Sequence, residues 1–317
     1  MITFLVLGCT SCQFAPEMER EYQKLFSDSK YRNGFNVTST QEGIGETQGV
    51  LDYNATTATS PKWRIAQWNN INNDILTGSY INDLSLHKYE TKGGNTVTTD
   101  TENGVITLKI NTSSEYGLNG ITHNQRKEGE SWPHLLLEYM LADDEILKIS
   151  DKKEIRMDIA YNILSLDDMM PSGTTNNSLH SAQFQWYITV QNRNEASADY
   201  GKYIWFGLSF YEKRYDFPPA YAAQDGGKEH NTGAFIYVPD MAEIMKNEGK
   251  TEIGKNMHVD VNILPLIESA FDLAQQRNYL QNTVWEDLFV TSSNIGWEMP
   301  GTYDATVRID SINIKYY

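Results

Sequence analysis

The sequence predicts a mainly β protein, in which two antiparallel sheets pack as a sandwich of jelly-roll type under one or two short covering helices. From position 34 onward, short alternating or apolar runs are separated by turn clusters such as KGGN, PSGTTNN and QDGGK. Aromatic residues make up 12% of the 317-residue chain, which suits the half-buried surface of a strand. With 40% hydrophobic residues, the chain can fill one large β-sandwich domain, which we place at 34–317.

The strands are recognised by their period of two. In HSAQFQWYITVQNRN (180–194), the even positions from 184 to 190 are apolar, whereas the odd positions hold Gln, Tyr and Thr. The runs YIWFGLSFYEKRY and EIRMDIAYNIL alternate in the same way. In the last run, YDATVRIDSINIKYY, the apolar residues change parity between Ile309 and Ile312, which predicts a β-bulge at Asp310-Ser311.

Two helices are predicted within the β pattern. The run NILPLIESAFDLAQQRNYL has apolar residues at helical spacing from Leu264 to Ala274, with Pro265 near its start. A shorter helix is predicted for 239–247, ended by Gly249. Both are short enough to cover a sandwich without forming a layer of their own.

The first residues, MITFLVLGCTSC, join an apolar run to small residues and cysteine, which resembles a bacterial lipoprotein signal. Cys9 follows the tripeptide V-L-G and is the better candidate for lipidation, with Cys12 as the second choice. Lipidation predicts an exported protein anchored by acyl chains to the bacterial outer membrane, at the cell surface or the periplasmic face. We interpret 1–12 as signal-like and 13–33 as a spacer with a short helix.

The charge balance limits the partners. A net charge of −16, from 42 acidic and 26 basic residues, disfavours nucleic acid and polyanionic substrates and favours a neutral ligand. Since both cysteines lie in the first twelve residues, the predicted domain has no disulfide, thiol nucleophile or Cys-based metal site. The six histidines show no HExxH pattern, so we expect no metal or cofactor, apart from a structural calcium ion that such folds can hold. We expect a monomer.

The polar faces of the predicted strands are unusual because they carry amides and phenols in place of charges. Amide groups offer donors and acceptors to sugar hydroxyls, and flat aromatic rings pack on sugar rings. If these strands are neighbours, they form a groove for a neutral oligo- or polysaccharide; otherwise, the face packs beneath loops. The predicted substrate-binding residues are Gln183, Gln185, Tyr187, Gln191, Trp205, Tyr211, Arg156, His134 and Trp297.

Three carboxylates are candidates for the two that glycoside hydrolysis requires. Asp158 lies on the polar parity of its strand, and Glu138 shares the parity of His134 in SWPHLLLEYM. Glu298 lies beside Trp297 in NIGWEMPGTYD, where a dehydrated carboxyl is expected to have a raised pKa, as a general acid should. Hydrolysis by a pair drawn from these three is the leading hypothesis.

Three alternatives stay open. A polysaccharide lyase would use a Tyr or His base and a cation for a uronate, roles for Tyr187, His134, Arg156 and Arg214. A non-catalytic module would bind glycan and deliver it to other proteins of an uptake system. A structural or adhesion protein of the envelope would have no groove. A flat aromatic surface without two facing carboxyls would favour binding alone.

The segments EGESWPHLLLE and SNIGWEMPGTYDATVRI, with the lipoprotein-like start and Asn/Thr-rich loops, resemble exported Bacteroidota-type lipoproteins that carry a concanavalin-A-like, jelly-roll carbohydrate-active domain. The resemblance implies a role in glycan utilisation. The chain has no ExDxxE string of the kind found in laminarinase-like hydrolases, so the resemblance transfers no catalytic residue.

Overall fold

The protein is described by a computed structural model that covers residues 21–43, 45–53, 60–116, 125–226 and 232–317. The signal-like segment, with Cys9 and Cys12, lies outside these ranges. The described helices are α1 (Ser113–Tyr116), α2 (Met241–Ile244) and α3 (Leu264–Gln276), with 3₁₀ turns at Ile75–Thr77 and Trp285–Asp287. In chain order, the described strands are β1 (Gln23–Lys24), β2 (Phe35–Thr38), β3 (Thr47–Leu51), β4 (Trp63–Ala66), β5 (Ser79–Asp83), β6 (Leu86–Glu90), β7 (Thr96–Asp100), β8 (Val105–Asn111), β9 (His134–Met140), β10 (Leu147–Lys148), β11 (Ile155–Asp168), β12 (Gln183–Asn192), β13 (Tyr203–Glu212), β14 (Tyr221–Gln224), β15 (Phe235–Val238), β16 (Asn256–Asn262), β17 (Leu288–Glu298) and β18 (Tyr303–Tyr316).

The described strands form two sheets. The first has the order β16-β11-β18-β8-β7-β6-β5, with β1 paired to the end of β18. The second has the order β14-β15-β13-β12-β17-β9-β4-β2-β3, with β10 paired to β17. Two pairings, β13 with β15 and β2 with β4, are parallel, and the other described pairings are antiparallel. The predicted two-sheet sandwich of jelly-roll type is confirmed.

The core lies between the facing sides of the two sheets. From the first sheet, the Tyr161 ring contacts the rings of Phe184 and Phe210 in the second, at centroid distances of 5.3 and 5.2 Å. Trp186, one of the even-numbered residues of β12, is fully buried in the same cluster. Because alternate side chains of each strand fill the core, the others stand on the two outer faces, where a binding site can form.

The bulge predicted near the end of the chain is present. Ser311 pairs with Ala160, and Ile309 pairs with the next residue of β11, so Asp310 is the extra residue of β18. Ile309 and Ile312, which have opposite parity in the sequence, are both buried in the core. The apolar residues on either side of the bulge require this extra residue, since otherwise half of them would face solvent.

The predicted main helix is confirmed as α3, which buries Ile267, Phe271 and Ala274 and contacts β13. The predicted second helix is shorter than expected. It is α2, capped by the Asp240 side chain, which accepts a hydrogen bond from the Ala242 backbone N–H at 2.9 Å. Within the described ranges, no helix has the length and apolarity needed to cross a membrane.

Residues 21–33 differ from the predicted spacer, because they belong to the sandwich. The Phe26 ring lies 5.0 Å from that of Trp63 and 4.8 Å from that of Tyr139. Tyr31 is also fully buried, and the Trp63 indole N–H donates to the Asp28 carbonyl at 2.6 Å. The spacer prediction followed from the polar residues that precede this stretch in the sequence, whereas the aromatic side chains of the stretch pack in the core.

We predict that Phe26→Ala destabilises the fold by about 3–5 kcal/mol, because it opens a cavity among buried rings. Urea unfolding followed by tryptophan fluorescence measures the change. The control is Leu84→Ala, at a side chain that is 93% exposed, where the change should stay within about 0.5 kcal/mol. Equal stability of the two variants would show that residues 21–33 are not part of the core.

Candidate functional site

The candidate site lies on the outer face of the second sheet, where β9, β17 and β12 are neighbours. The pairing of these strands places His134, Glu298 and Gln183 in one row across the sheet. A second row, four residues along the strands, contains Glu138 and Tyr187. These five residues were all predicted from sequence to be catalytic or substrate-binding, and the structure brings them onto one face.

Glu298 is the centre of this site. The Trp132 indole N–H donates to its Oε2 at 3.3 Å, and the His134 Nε2 lies 3.4 Å from the same atom. Burial opposes ionisation of the carboxyl, but hydrogen bonds from His134, Trp132 and Gln185 outweigh it and hold the pKa of Glu298 below its ordinary value. The expected raised pKa is therefore wrong, because sequence alone does not show how many donors surround a carboxyl.

His134 is held in an aromatic pocket. Its ring stacks on Trp132 at 5.9 Å and meets the edge of Trp68 at 5.8 Å, while the Arg126 guanidinium lies 4.7 Å from the centre of the Trp132 ring. The buried Nδ1 atom of His134 has no hydrogen-bond partner within the described part of the chain. The packing fixes the ring with Nε2 toward Glu298 and Nδ1 buried on its other side.

Tyr187 extends the site along β12. Its hydroxyl donates to the Gln185 Oε1 at 3.3 Å, and its ring lies 5.7 Å from that of Trp205. The ring lies directly over Gly207 of the next strand, since a Cβ atom there would be only 2.2 Å from it. Burial and the nearby negative charge of Glu298 raise the pKa of Tyr187, which keeps the phenol neutral and able to donate.

Glu138 is a second carboxylate on the same face. It accepts a hydrogen bond from the Arg64 Nε at 2.7 Å, and its side chain is only 6% exposed. Burial raises the pKa of Glu138, and the attraction of Arg64 offsets this only in part. The site therefore holds two carboxyls whose surroundings shift their pKa values in opposite directions.

A third carboxylate on this face, Glu212, was not predicted. Phe184 pairs with Tyr211 and Gln185 pairs with Ser209, so β13 contains an extra residue at this point. This bulge places Glu212 opposite Gln183, where it accepts hydrogen bonds from the Arg214 Nε at 2.8 and 2.9 Å and from Ser181. Strict alternation assigns Glu212 to the buried face, and no sequence signal marks the bulge.

Two residues predicted for the groove face the core instead. Tyr211 packs against the core because the same bulge turns it to the side of Phe184. Trp297 is fully buried, with its ring 5.5 Å from that of Phe184. Neither residue can stack on a ligand at the outer face, so both assignments were wrong.

Asp158 and Arg156 lie on the outer face of the first sheet, on the opposite side of the sandwich. Asp158 contacts the His258 Nε2 at 2.8 Å and the Lys315 Nζ at 2.6 Å, and the Arg156 Nε donates to Asp260 at 2.7 Å. The expectation that these strands are neighbours was wrong, because β11 belongs to the other sheet. Asp158 therefore cannot act with Glu298, and Arg156 cannot serve a lyase reaction there.

The other predicted groove residues on this sheet, Trp205 and Gln191, lie six and eight positions along the strands from the row of Glu298. Trp205 is on the outer face of β13, and the Gln191 Nε2 donates to the Gly201 carbonyl at 2.9 Å. Arg214, considered for a lyase reaction, is engaged with Glu212. Across the described ranges, no group of three or more His, Cys, Asp or Glu side chains is placed to hold a metal ion.

No protein-family model matches the chain, and no curated protein matches its sequence. Solved structures with a similar arrangement include a family 12 xyloglucanase from Bacillus licheniformis, at 11% identity and a TM-score of 0.45, over 77% of this chain and 99% of that chain. An endoglucanase from Rhodothermus marinus and a family 11 xylanase from Neocallimastix patriciarum each match at 8% identity, over 76% of this chain and 96% of the other. Their TM-scores are 0.37 and 0.38, and similarities this low carry no information on substrate or mechanism.

We predict that His134→Ala raises the pKa of Glu298, because burial then acts on a carboxyl that has lost a main donor. In the unmodified protein, the depressed pKa stabilises the fold above the ordinary glutamate value of 4.5, and this stabilisation is lost as pH falls through the folded-state value. An NMR titration of ¹³C-labelled glutamate measures the pKa. His258→Ala, which removes a partner of Asp158, is the control and should leave Glu298 unchanged.

Proposed function

We propose that this protein is a carbohydrate-active protein, which binds a neutral polysaccharide across the outer face of the second sheet and hydrolyses it with Glu298 and Glu138. One observation carries the proposal. Glu298, a carboxylate with a depressed pKa, lies among uncharged amide, phenol and indole groups on a protein with a net charge of −16. Such a surface can bind sugar hydroxyls and sugar rings, and it holds a group that can act on the bond between them.

The charges near the site favour an uncharged substrate. Arg64 is paired with Glu138 and Arg214 with Glu212, while the buried Arg126 guanidinium donates to the backbone carbonyls of Glu130 and Leu179. An acidic sugar would place another negative charge near Glu298, where these three arginines are already engaged by carboxylates or backbone carbonyls. A neutral sugar avoids this repulsion, and the amides of Gln183 and Gln185 supply donors and acceptors instead.

The opposite pKa shifts support a division of roles between the two carboxyls. Glu298 stays ionised and would act as the base that activates water, while Glu138 has a raised pKa and would donate its proton to the glycosidic oxygen. The two residues are on adjacent strands and four positions apart along them, which corresponds to about 14 Å between their Cα atoms. Because Arg64 of β4 holds the Glu138 side chain on the side away from β17, hydrolysis requires this side chain to turn toward Glu298, to the roughly 5–5.5 Å of retaining or 6.5–9.5 Å of inverting enzymes.

Glycan binding without hydrolysis is the second candidate function. The observation that favours it is the ion pair between Arg64 and Glu138, with an Nε–Oε2 distance of 2.7 Å, which occupies the carboxyl needed as the acid. In that case Glu298 serves as a hydrogen-bond acceptor for sugar hydroxyls.

The proposal also includes export and anchoring to the outer membrane through Cys9, or Cys12, on the basis of the lipoprotein-like first twelve residues.

We predict that the purified protein releases reducing ends from a neutral polysaccharide, and that Glu298→Gln and Glu138→Gln each lower kcat by about 10²–10⁴-fold. Asp158→Asn, on the opposite face, is the matched control and should keep full activity. A panel of glucans, xylans and mannans, assayed for reducing ends and by affinity electrophoresis, provides the measurement. Affinity without release in the unmodified protein would establish the second candidate, and the absence of both would contradict the proposal.

We predict a bell-shaped dependence of kcat/KM on pH. The acidic limb reflects protonation of Glu298 and should lie below 4.5, because its pKa is depressed; the alkaline limb reflects ionisation of Glu138 and should lie above 4.5. Initial rates between pH 3 and pH 9 measure both limbs. An alkaline limb that persists unchanged in Arg64→Met would argue against Glu138, since loss of the guanidinium should move this limb to higher pH.

A further inference from the structure

A second concave site lies at the hairpin end of β12 and β13, away from Glu298. It is a cavity of about 620 Å³, within the range of roughly 300–1,000 Å³ that is typical of small-molecule sites. The tyrosines Tyr200, Tyr203 and Tyr279 line it, together with the amides of Gln224 and Asn278. None of these residues belongs to the site around Glu298.

The lining of the cavity is polar but carries no uncompensated charge among the described residues. Its one lysine, Lys202, contacts the buried carboxylate of Asp199 at 2.6 Å, so the two charges cancel. The Gln224 amide donates to the Gly233 carbonyl at 3.1 Å, while the Asn278 side chain makes no hydrogen bond to another described residue. Phenol rings beside amide groups with remaining hydrogen-bonding capacity suit a neutral sugar.

A strip of aromatic rings connects the cavity with the site around Glu298. The Tyr203 ring lies 6.4 Å from that of Trp205, which in turn lies 5.7 Å from that of Tyr187. Along the strands, Tyr203 is eight positions from the row of Glu298 and two strands across, a distance of about 29 Å. Only an extended oligosaccharide, and no disaccharide, can reach from one site to the other.

We infer that the cavity is a second saccharide-binding site, which holds a remote part of the neutral polysaccharide whose other part occupies the site around Glu298. This inference rests on the proposed function, because it assigns the same class of ligand. When one saccharide chain contacts both the cavity and the site around Glu298, the affinity for long substrates rises, whereas the affinity for short ones does not change. The cavity therefore selects for chain length.

The test uses isothermal titration calorimetry with gluco-, xylo- and manno-hexasaccharides and the matching disaccharides, in a Glu298→Gln background that prevents hydrolysis. Tyr200→Ala removes a ring that is 45% exposed, and Asn278→Gly removes the amide at a position with φ of 62°, which glycine adopts without strain. The double variant should weaken hexasaccharide binding about tenfold, or 1.4 kcal/mol, and leave disaccharide binding unchanged. Leu84→Ala, in the turn between β5 and β6 of the other sheet, is the surface control.

The outcomes separate this inference from the proposed function. The cavity is not a remote subsite if the hexasaccharide binds the double variant as tightly as it binds the Glu298→Gln parent protein. The same conclusion follows if the disaccharide loses affinity to the same extent as the hexasaccharide. Either result leaves the site around Glu298 unaffected. If no saccharide binds the parent, both are overturned. Density for sugar rings between Tyr203 and Tyr279 in crystals soaked with the hexasaccharide would support the inference directly.

Discussion

The pairing of β12 with β17 is the constraint on which the candidate site depends. Strand side chains alternate between faces, so a shift of this pairing by one residue would turn Gln183, Gln185 and Tyr187 into the core and expose the apolar set. The buried side of β12, with Phe184 and Trp186 fully enclosed, makes such a shift costly. The core thereby fixes the register, and the register places the amides of β12 beside Glu298.

Hydrogen bonding, more than exposure to water, determines the charge of Glu298. Its side chain is only 20% exposed, and burial alone would favour the protonated form. Donors from β9, β12 and the segment before β9 reverse that preference, so a charge persists in a place that excludes most water. Glu138, which has fewer donors, shows the opposite result on the same face. Two residues of one type thus acquire different properties through their neighbours.

Sequence alone predicts what is local in this fold and misses what depends on distant pairing. The alternation in β12 correctly indicates which residues face outward, and the parity change around Asp310 reveals a bulge because both flanks are apolar. The bulge beside Phe210 leaves no such trace, since the aromatic residues there fit either face, so Glu212 was missed. Asp158 was placed in the groove because its strand has the right pattern, but no pattern within a strand tells which sheet it joins.

The contact between Tyr187 and Gly207 has a consequence for recognition. A ring pressed against a neighbouring backbone has few rotamers open to it, so it loses little conformational entropy when a ligand covers it. Other side chains of this surface, such as Gln183, have more rotatable bonds and lose more torsional freedom when a ligand binds. The tyrosine therefore offers a rigid platform, against which the more adaptable amides can select among sugars by the orientation of their hydroxyls.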